Sequence, residues 1–313
     1  MTVRRNRGVV WRGPISTLRE DSTVATFGGE GVQAHMRKWH VTADLTFAAV
    51  DQFEIARVLV NRHQLKAGGY VGINTNSTTL SGTVRDRTYL GSELPNTYDA
   101  ILDLAEVRGG FDLDVNPATL TFDLFFPRRG TRRDDIVLGD HNIRSWSRDE
   151  DATKQASEVF GIGHGEGAAT LIATAQDSSA VAVYGLTQRV FSRKNVLALV
   201  NLQAAVDRQL ASFSLPPRVV GVTVGPDDPP LGSYQVGDEI RVTIPSLYRP
   251  IAGWRRIYGI DVVWNGSSED VVLAVGEIGP DLQNPVFPAS DQEAMERAEL
   301  LRRVDTLERV DQT

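Results

Sequence analysis

The spacing of apolar residues changes from strand-like to helix-like within the first third of the chain. Short β-prone runs at 9–15 and 23–27 are separated by glycine and proline. The run VQAHMRKW, 32–39, predicts a short helical turn. From 51 to 65 the apolar residues fall on one stripe with a 3.6-residue period. This stripe predicts a helix that ends before Gly68.

The middle of the chain combines a second helix with a hairpin. Pro95 suits the first position of a helix over about 95–107. The run FDLDV, 111–115, alternates apolar and acidic residues, turns at Asn116-Pro117 and returns as TLTFDLFF, 119–126. Together with extended chain before it, this segment predicts an α+β unit.

The second half of the chain is predicted to be mostly β. Strands are expected at 156–162, 169–174, 180–189 and 219–224. One long helix is expected over 194–211, and a charged helix over 290–310, capped by Ser290. The dipeptide Asn265-Gly266 predicts a tight hairpin between 258–264 and 270–275.

This order predicts a β-rich α+β protein in four parts. The first is an N-terminal β segment at 1–45, a partial barrel, and the second is an α+β insert at 46–150. A β-barrel domain with one long helix follows at 151–285, and a helical tail at 286–313.

Composition excludes several classes of protein. The 313 residues carry a formal charge of −7, whereas dedicated nucleic-acid-binding domains are usually basic and anionic lipid surfaces attract cations. The lack of cysteine excludes disulfides, thiol nucleophiles and cysteine-based zinc sites. No segment approaches the roughly 20 apolar residues of a membrane span, and the N-terminus lacks the apolar core of a secretory signal. We therefore expect synthesis and assembly in a cytoplasm.

The histidines and glycine-rich segments favour structural roles. No metal-binding spacing connects the five histidines, which are His35, His40, His63, His141 and His164. His63 lies at the border of a helical apolar stripe. The run GIGHGEG, 161–167, fits part of a dinucleotide fingerprint, but the β-prone ATLIATA follows it where a helix is required. We interpret it as a loop, and expect no cofactor and no metal.

Two clusters of charge are the remaining candidates for chemistry. Asp112 and Asp114 share one face of a strand, where they could hold a hard cation or hydrolyse a glycan, although a solvated outer face is favoured. The run PRRGTRR is the one basic patch. Its arginines, which could contact nucleic acid but favour an intersubunit or solvated role, are Arg128, Arg129, Arg132 and Arg133. Neither cluster forms a catalytic constellation, so a binding or structural role is expected.

Several segments, in this order, resemble the minor tail proteins that form the tail-tip, or baseplate, hub of long-tailed phages of actinobacteria. They are FGGEGVQAHMRKW, VDQFEIARVLVNRHQ, SGTVRDRTY, AILDLAEVRGGFDLDV, FPRRG, GPDDPPLGSYQVGDEIRV and RIYGIDVVWN. The resemblance covers about 25–280. Only about 25 residues precede FGGEG, fewer than is usual in the family, so a first barrel would be incomplete or finished by another chain.

The resemblance implies β-barrel domains that continue the tail tube, with α+β domains attached outside. Three copies would form a ring that joins the tail tube or distal tail ring to tip fibres or spikes and closes the DNA exit channel. It implies a homotrimer in the virion tail tip that contacts distal tail, tape measure and fibre proteins, with transient passage of phage DNA and no enzymatic activity.

Two alternatives from other classes stay open. One is a cell-wall or glycan hydrolase that uses Asp112 and Asp114. The other is a receptor-binding module whose tryptophans serve as sugar platforms, although anchors in cores or interfaces are the default. These tryptophans are Trp11, Trp39, Trp146, Trp254 and Trp264.

Overall fold

The computed structural model describes residues 1–276 except 7, 21, 24, 108, 151–152, 154, 195, 215–217, 246–249 and 265. The predicted helical tail therefore lies outside the described residues. Two antiparallel hairpins begin the chain, formed by β1 (Thr2–Arg5) with β2 (Gly8–Arg12) and by β3 (Ile15–Glu20) with β4 (Ala25–Gly29). We call the second hairpin the N-terminal ribbon. The predicted helical turn follows as a 3-10 helix, Val32–Lys38.

An α/β module, residues 32–125, comes next. Its elements are β5 (Leu45–Asp51), α1 (Gln52–Gln64), β6 (Val84–Tyr89), a short 3-10 turn (Gly91–Glu93), α2 (Thr97–Ala105), β7 (Asp112–Val115) and β8 (Phe122–Phe125). The helix α1 starts where predicted because the Asp51 carboxylate accepts a hydrogen bond from the Phe53 amide. The helix α2 starts two residues later than predicted, because Asn96 and not Pro95 sets the cap, by accepting from the amides of Tyr98 and Asp99.

The second half forms two further sheets. Its elements are β9 (Arg132–Leu138), β10 (Ile143–Glu150), β11 (Glu158–Ile162), a 3-10 turn (Gly167–Ala169), β12 (Ile172–Gln176), α3 (Ser178–Tyr184), β13 (Gln188–Ser192), α4 (Leu199–Phe213), β14 (Arg218–Val224), β15 (Glu239–Ile244), β16 (Ile251–Trp264) and β17 (Glu269–Gly276). The hairpin predicted around Gly266 is confirmed by the antiparallel pairing of β16 with β17.

The large sheet has the strand order β10-β14-β17-β16-β15-β9 and its own apolar core. It pairs strands from both sides of the predicted boundary at residue 150. Its two edge strands are consecutive in the chain and are joined by the four residues 139–142, so the sheet curls back on itself. The predicted β-barrel is nevertheless not closed within the described residues, since β9 and β10 remain the two edges of the sheet. The pairings across the sheet give β9 and β10 the same direction, and two parallel strands joined by only four residues cannot pair side by side. In the short connection, the Asn142 side chain donates to the carbonyl of Val137 and accepts from the amide of Gly139.

The smaller sheet, β12-β11-β13, packs on α4 through a separate core, and we call this unit the three-stranded module. The predicted strand at 180–189 is wrong in its first half, because the Asp177 carboxylate accepts from the amides of Ser179 and Ala180 and caps α3. The helix α4 begins five residues later than predicted, since the carbonyl of Val196 accepts from the His164 amide and holds the preceding loop.

Gly161 allows the close approach of β11 to α4. A Cβ there would lie 2.6 Å from Val206 Cγ2. We expect Gly161→Val to lower the free energy of unfolding by about 1–3 kcal/mol, because the added methyls overpack this core. Urea unfolding followed by far-UV circular dichroism measures the effect. Thr174→Val, on the exposed face of the same sheet, should stay within about 0.5 kcal/mol of the parent; equal losses in both variants would contradict this account.

Candidate functional site

The two carboxylates singled out in the sequence do not form an exposed acidic pair. Asp112 is buried, and its Oδ2 accepts from Arg256 Nη2 at 2.8 Å and from the Arg129 amide at 2.7 Å. Asp114 Oδ2 accepts from Arg129 Nη1 at 2.6 Å. The expectation of a solvated outer face is therefore wrong for Asp112, because β16 covers it with an arginine. Both carboxylates are neutralised by guanidinium groups within the chain.

Asp112 belongs to a cluster of buried charges where the α/β module, the three-stranded module and the large sheet meet, and we call it the junction. Arg256 of the large sheet is fully buried. From the three-stranded module, Arg193 Nη1 lies 2.7 Å from Asp103 Oδ1 and its Nη2 lies 3.6 Å from Glu106 Oε2. Arg208 on α4 is also buried beside these acids. The junction thus holds three packed units in one orientation by charge pairing.

Burial dominates the electrostatics of the junction. It raises the pKa of Asp112, Asp103 and Glu106, although the neighbouring arginines act in the opposite direction. It also lowers the pKa of Arg256, and it lowers the pKa of Arg208 to about 10. For these groups, burial therefore has a larger effect on the pKa than the neighbouring opposite charges have. A buried ion pair is weak evidence for added stability.

The predicted basic patch is neutralised inside the chain. Arg128 pairs with Glu239, Arg129 with Asp114, Arg132 with Asp134 at 3.3 Å, and Arg133 with Asp135 at 2.7 Å. The expected solvated role holds for Arg132, whose side chain and that of Asp134 are largely exposed, whereas Arg128 and Arg129 pair with less exposed acids of the same chain. Sequence reasoning missed the buried Arg193, Arg208 and Arg256. The signal available for Arg208 and Arg256 was an arginine between apolar positions of a helix or strand.

The other candidates have ordinary surroundings. The loop interpretation of 161–167 is confirmed for 163–166, whereas Gly161 and Ile162 belong to β11 and a 3-10 turn begins at Gly167. His63 stacks on Trp39 with ring centroids 4.8 Å apart, and the Arg132 guanidinium lies 3.6 Å above the Trp254 ring centroid. Among the described residues, no group of three or more acidic or histidine side chains is arranged to hold a metal. No helix of that part is long and apolar enough to cross a membrane.

The N-terminal ribbon presents a partly exposed apolar face, on which the Trp11 ring lies against Gly29. Leu18 pairs directly with Phe27 across the two strands, and the bulge at Ser16 places Ile15 opposite Gly29 on the same face. All three apolar side chains are about half exposed, with Leu18 at 58% and Phe27 at 55%. An isolated two-stranded ribbon is marginal in water. Its apolar face is therefore a candidate contact surface for another protein chain.

Two further apolar surfaces are uncovered in the described chain. Trp264, at the tip of the β16–β17 hairpin, is 73% exposed beside Val262 and Val263. On the three-stranded module, the sheet face away from α4 exposes Ile172 and Val190. Exposed apolar surfaces of this kind mark contact sites between proteins. The described residues thus carry several exposed apolar surfaces and a cluster of charges that pair within the chain.

Comparison with known proteins shows the fold. No family model and no curated protein sequence matches the chain. The fold is similar to that of the 43 kDa tail protein of prophage MuSo2 from Shewanella oneidensis, with a TM-score of 0.64 at 13% sequence identity. The superposed region covers 90% of this chain and 84% of the MuSo2 protein. A tail protein from Neisseria meningitidis MC58 is similar over 87% of this chain and 81% of its own length, with a TM-score of 0.56 at 16% sequence identity. The prophage tail protein gp18 from Listeria monocytogenes EGD-e is similar over 94% of this chain and 83% of its own length, with a TM-score of 0.52 at 14% sequence identity.

Proposed function

We propose that this protein, whose fold is shared with phage and prophage tail proteins over most of its length, is a structural subunit of a phage tail. One observation carries the proposal. The N-terminal ribbon exposes Ile15, Leu18 and Phe27 on one face, which an isolated soluble chain would bury. In an assembled tail, a neighbouring subunit covers this face. A structural subunit needs no catalytic group, in keeping with the pairing of Asp112 and Asp114 to arginines.

Within the tail, we propose the tail-tip hub of a long-tailed phage of actinobacteria. Three copies would form a ring that joins the tail tube or distal tail ring to the tip fibres or spikes. The sequence resemblance supports this position, and the curled large sheet supplies a wall that a ring could repeat. The chain's charge of −7 is favourable for a DNA exit channel, since an acidic surface does not retain phosphate. Assembly would take place in the host cytoplasm.

Cryo-electron microscopy of tailed particles whose genome encodes this chain tests the proposal. We expect threefold density for the protein at the tail tip, with the N-terminal ribbon packed on a neighbouring subunit. Particles produced without the gene should lack an intact tip. Density elsewhere in the tail would overturn the hub position, and absence from the particle would overturn the structural role.

A further inference from the structure

A cationic cavity lies in the α/β module at the C-terminal end of α1, remote from the N-terminal ribbon in sequence. Its volume is about 250 Å³. Four basic residues line it: His40, Arg62, His63 and Lys66. Leu45 and Leu59 form part of its apolar wall. No aspartate or glutamate lines this cavity. In a chain with a charge of −7, it is a local concentration of unneutralised positive charge.

Contacts within the chain position two of the four basic groups, His63 and Lys66. The His63 imidazole stacks on Trp39 with an angle of 16° between the ring planes. Lys66 Nζ donates to Thr42 Oγ1 at 3.0 Å. Burial, and after it the charges of Lys66 and His40, lower the pKa of His63. A bound anion would raise the pKa of His63, which is opposite to the effect of these cations.

Thr97 supplies a second, independent observation. It is fully buried, lines the same cavity, and its hydroxyl has no hydrogen-bond partner within the described part of the chain. Buried hydroxyl groups are normally paired, because an unpaired one costs free energy. Basic residues in the last turn of α1 are also favoured by the helix dipole. That effect does not account for His40 on a different segment, nor for the unpaired hydroxyl of Thr97.

We propose that this cavity binds a carboxylate group carried on a short aliphatic stem. Arg62, Lys66 and the imidazole of His63 donate to the carboxylate, and the Thr97 hydroxyl adds a neutral donor. The methylene groups of the stem contact Leu45 and Leu59. The carboxylate can belong to a free small acid or to an acidic side chain of a peptide. The proposal does not depend on the tail function.

Two probes of the same shape test the charge requirement on the full-length protein. N-acetylglutamate should bind saturably in isothermal titration calorimetry and shift the imidazole NMR signals of His40 and His63. N-acetylglutamine, which lacks the charge, should bind at least about tenfold more weakly. A glutamate-containing hexapeptide that binds tighter than N-acetylglutamate identifies a peptide side chain as the ligand, and equal affinity identifies a small acid. No saturable binding of either acidic probe overturns the proposal.

Matched variants test the assignment of residues. Lys66→Gln should weaken N-acetylglutamate binding roughly tenfold or more, because it removes a charged donor. Lys38→Gln, an exposed lysine outside the cavity, should leave the affinity unchanged. Thr97→Val should weaken binding while the melting temperature of the free protein stays constant or rises, because no internal hydrogen bond is lost. Unchanged affinity in both Lys66→Gln and Thr97→Val would overturn the site.

Discussion

Asp112→Ala is expected to lower the free energy of unfolding by about 3–5 kcal/mol, because it leaves the buried Arg256 guanidinium without its counter-charge. Arg256 is 0% exposed, and its Nε and Nη1 atoms have no hydrogen-bond partner among the described residues. Its Nη2 bond to Asp112 is therefore the contact that compensates its burial. The variant also removes the carboxylate that accepts from the Arg129 amide. Urea unfolding monitored by tryptophan fluorescence measures the loss.

The double variant Asp112→Leu/Arg256→Met tests whether stability depends on the ion pair itself or on filling the buried space that the pair occupies. Burial shifts the pKa of both groups toward their neutral forms, so both charges are held in the structure at a cost. Replacing both with apolar residues should therefore recover most of the stability lost in Asp112→Ala. Asp134→Ala is the matched control, since its ion pair with Arg132 is largely exposed and should contribute at most about 1 kcal/mol. Equal losses in Asp112→Ala and Asp134→Ala would refute the junction.

The same pair shows what the sequence can and cannot predict here. The alternation in FDLDV correctly predicted a strand, and the hairpin with β8 is confirmed. Which side of that strand meets solvent was predicted wrongly for Asp112. The answer depends on Arg256, which lies 144 residues further along the chain. The local pattern of apolar and polar residues carries no information about so distant a contact. Helix ends show the same limit on a smaller scale, since single side-chain caps at Asn96 and Asp177 decided them.

The large sheet marks another limit. Its individual strands were largely visible as β-prone runs, but the polar segment at 127–133 and the weakly periodic one after 143 concealed β9 and β10. These are the edge strands, where one side has no strand partner among the described residues and apolar patterning is weak. The missing closure between them follows from their common direction, which is set by pairing with distant strands, because a four-residue connection cannot place two parallel strands side by side. A sequence resemblance predicts a barrel but does not show whether its last two strands pair.

The second prediction concerns the N-terminal ribbon as a contact surface. Phe27→Glu should weaken assembly of the protein by at least about thirtyfold, or about 2 kcal/mol, while the isolated chain stays folded. The reason is that Phe27 and Leu18 form one cross-strand apolar pair, and each of the two residues is more than half exposed in the described chain. In an interface, the new carboxylate would be removed from water without a partner. In the free chain it stays solvated, so stability should change by no more than about 0.5 kcal/mol.

Thr26→Glu is the matched control, because it adds the same charge to the same ribbon one residue away. Thr26 pairs with Arg19 on the opposite face, where a carboxylate meets an opposite charge. Sedimentation velocity of the full-length variants, alone and with the neighbouring tail proteins, reports assembly, and thermal unfolding reports the fold. If the apolar face is the contact surface, only Phe27→Glu loses the assembled species. Equal assembly of the two variants would show that the ribbon is not the contact surface.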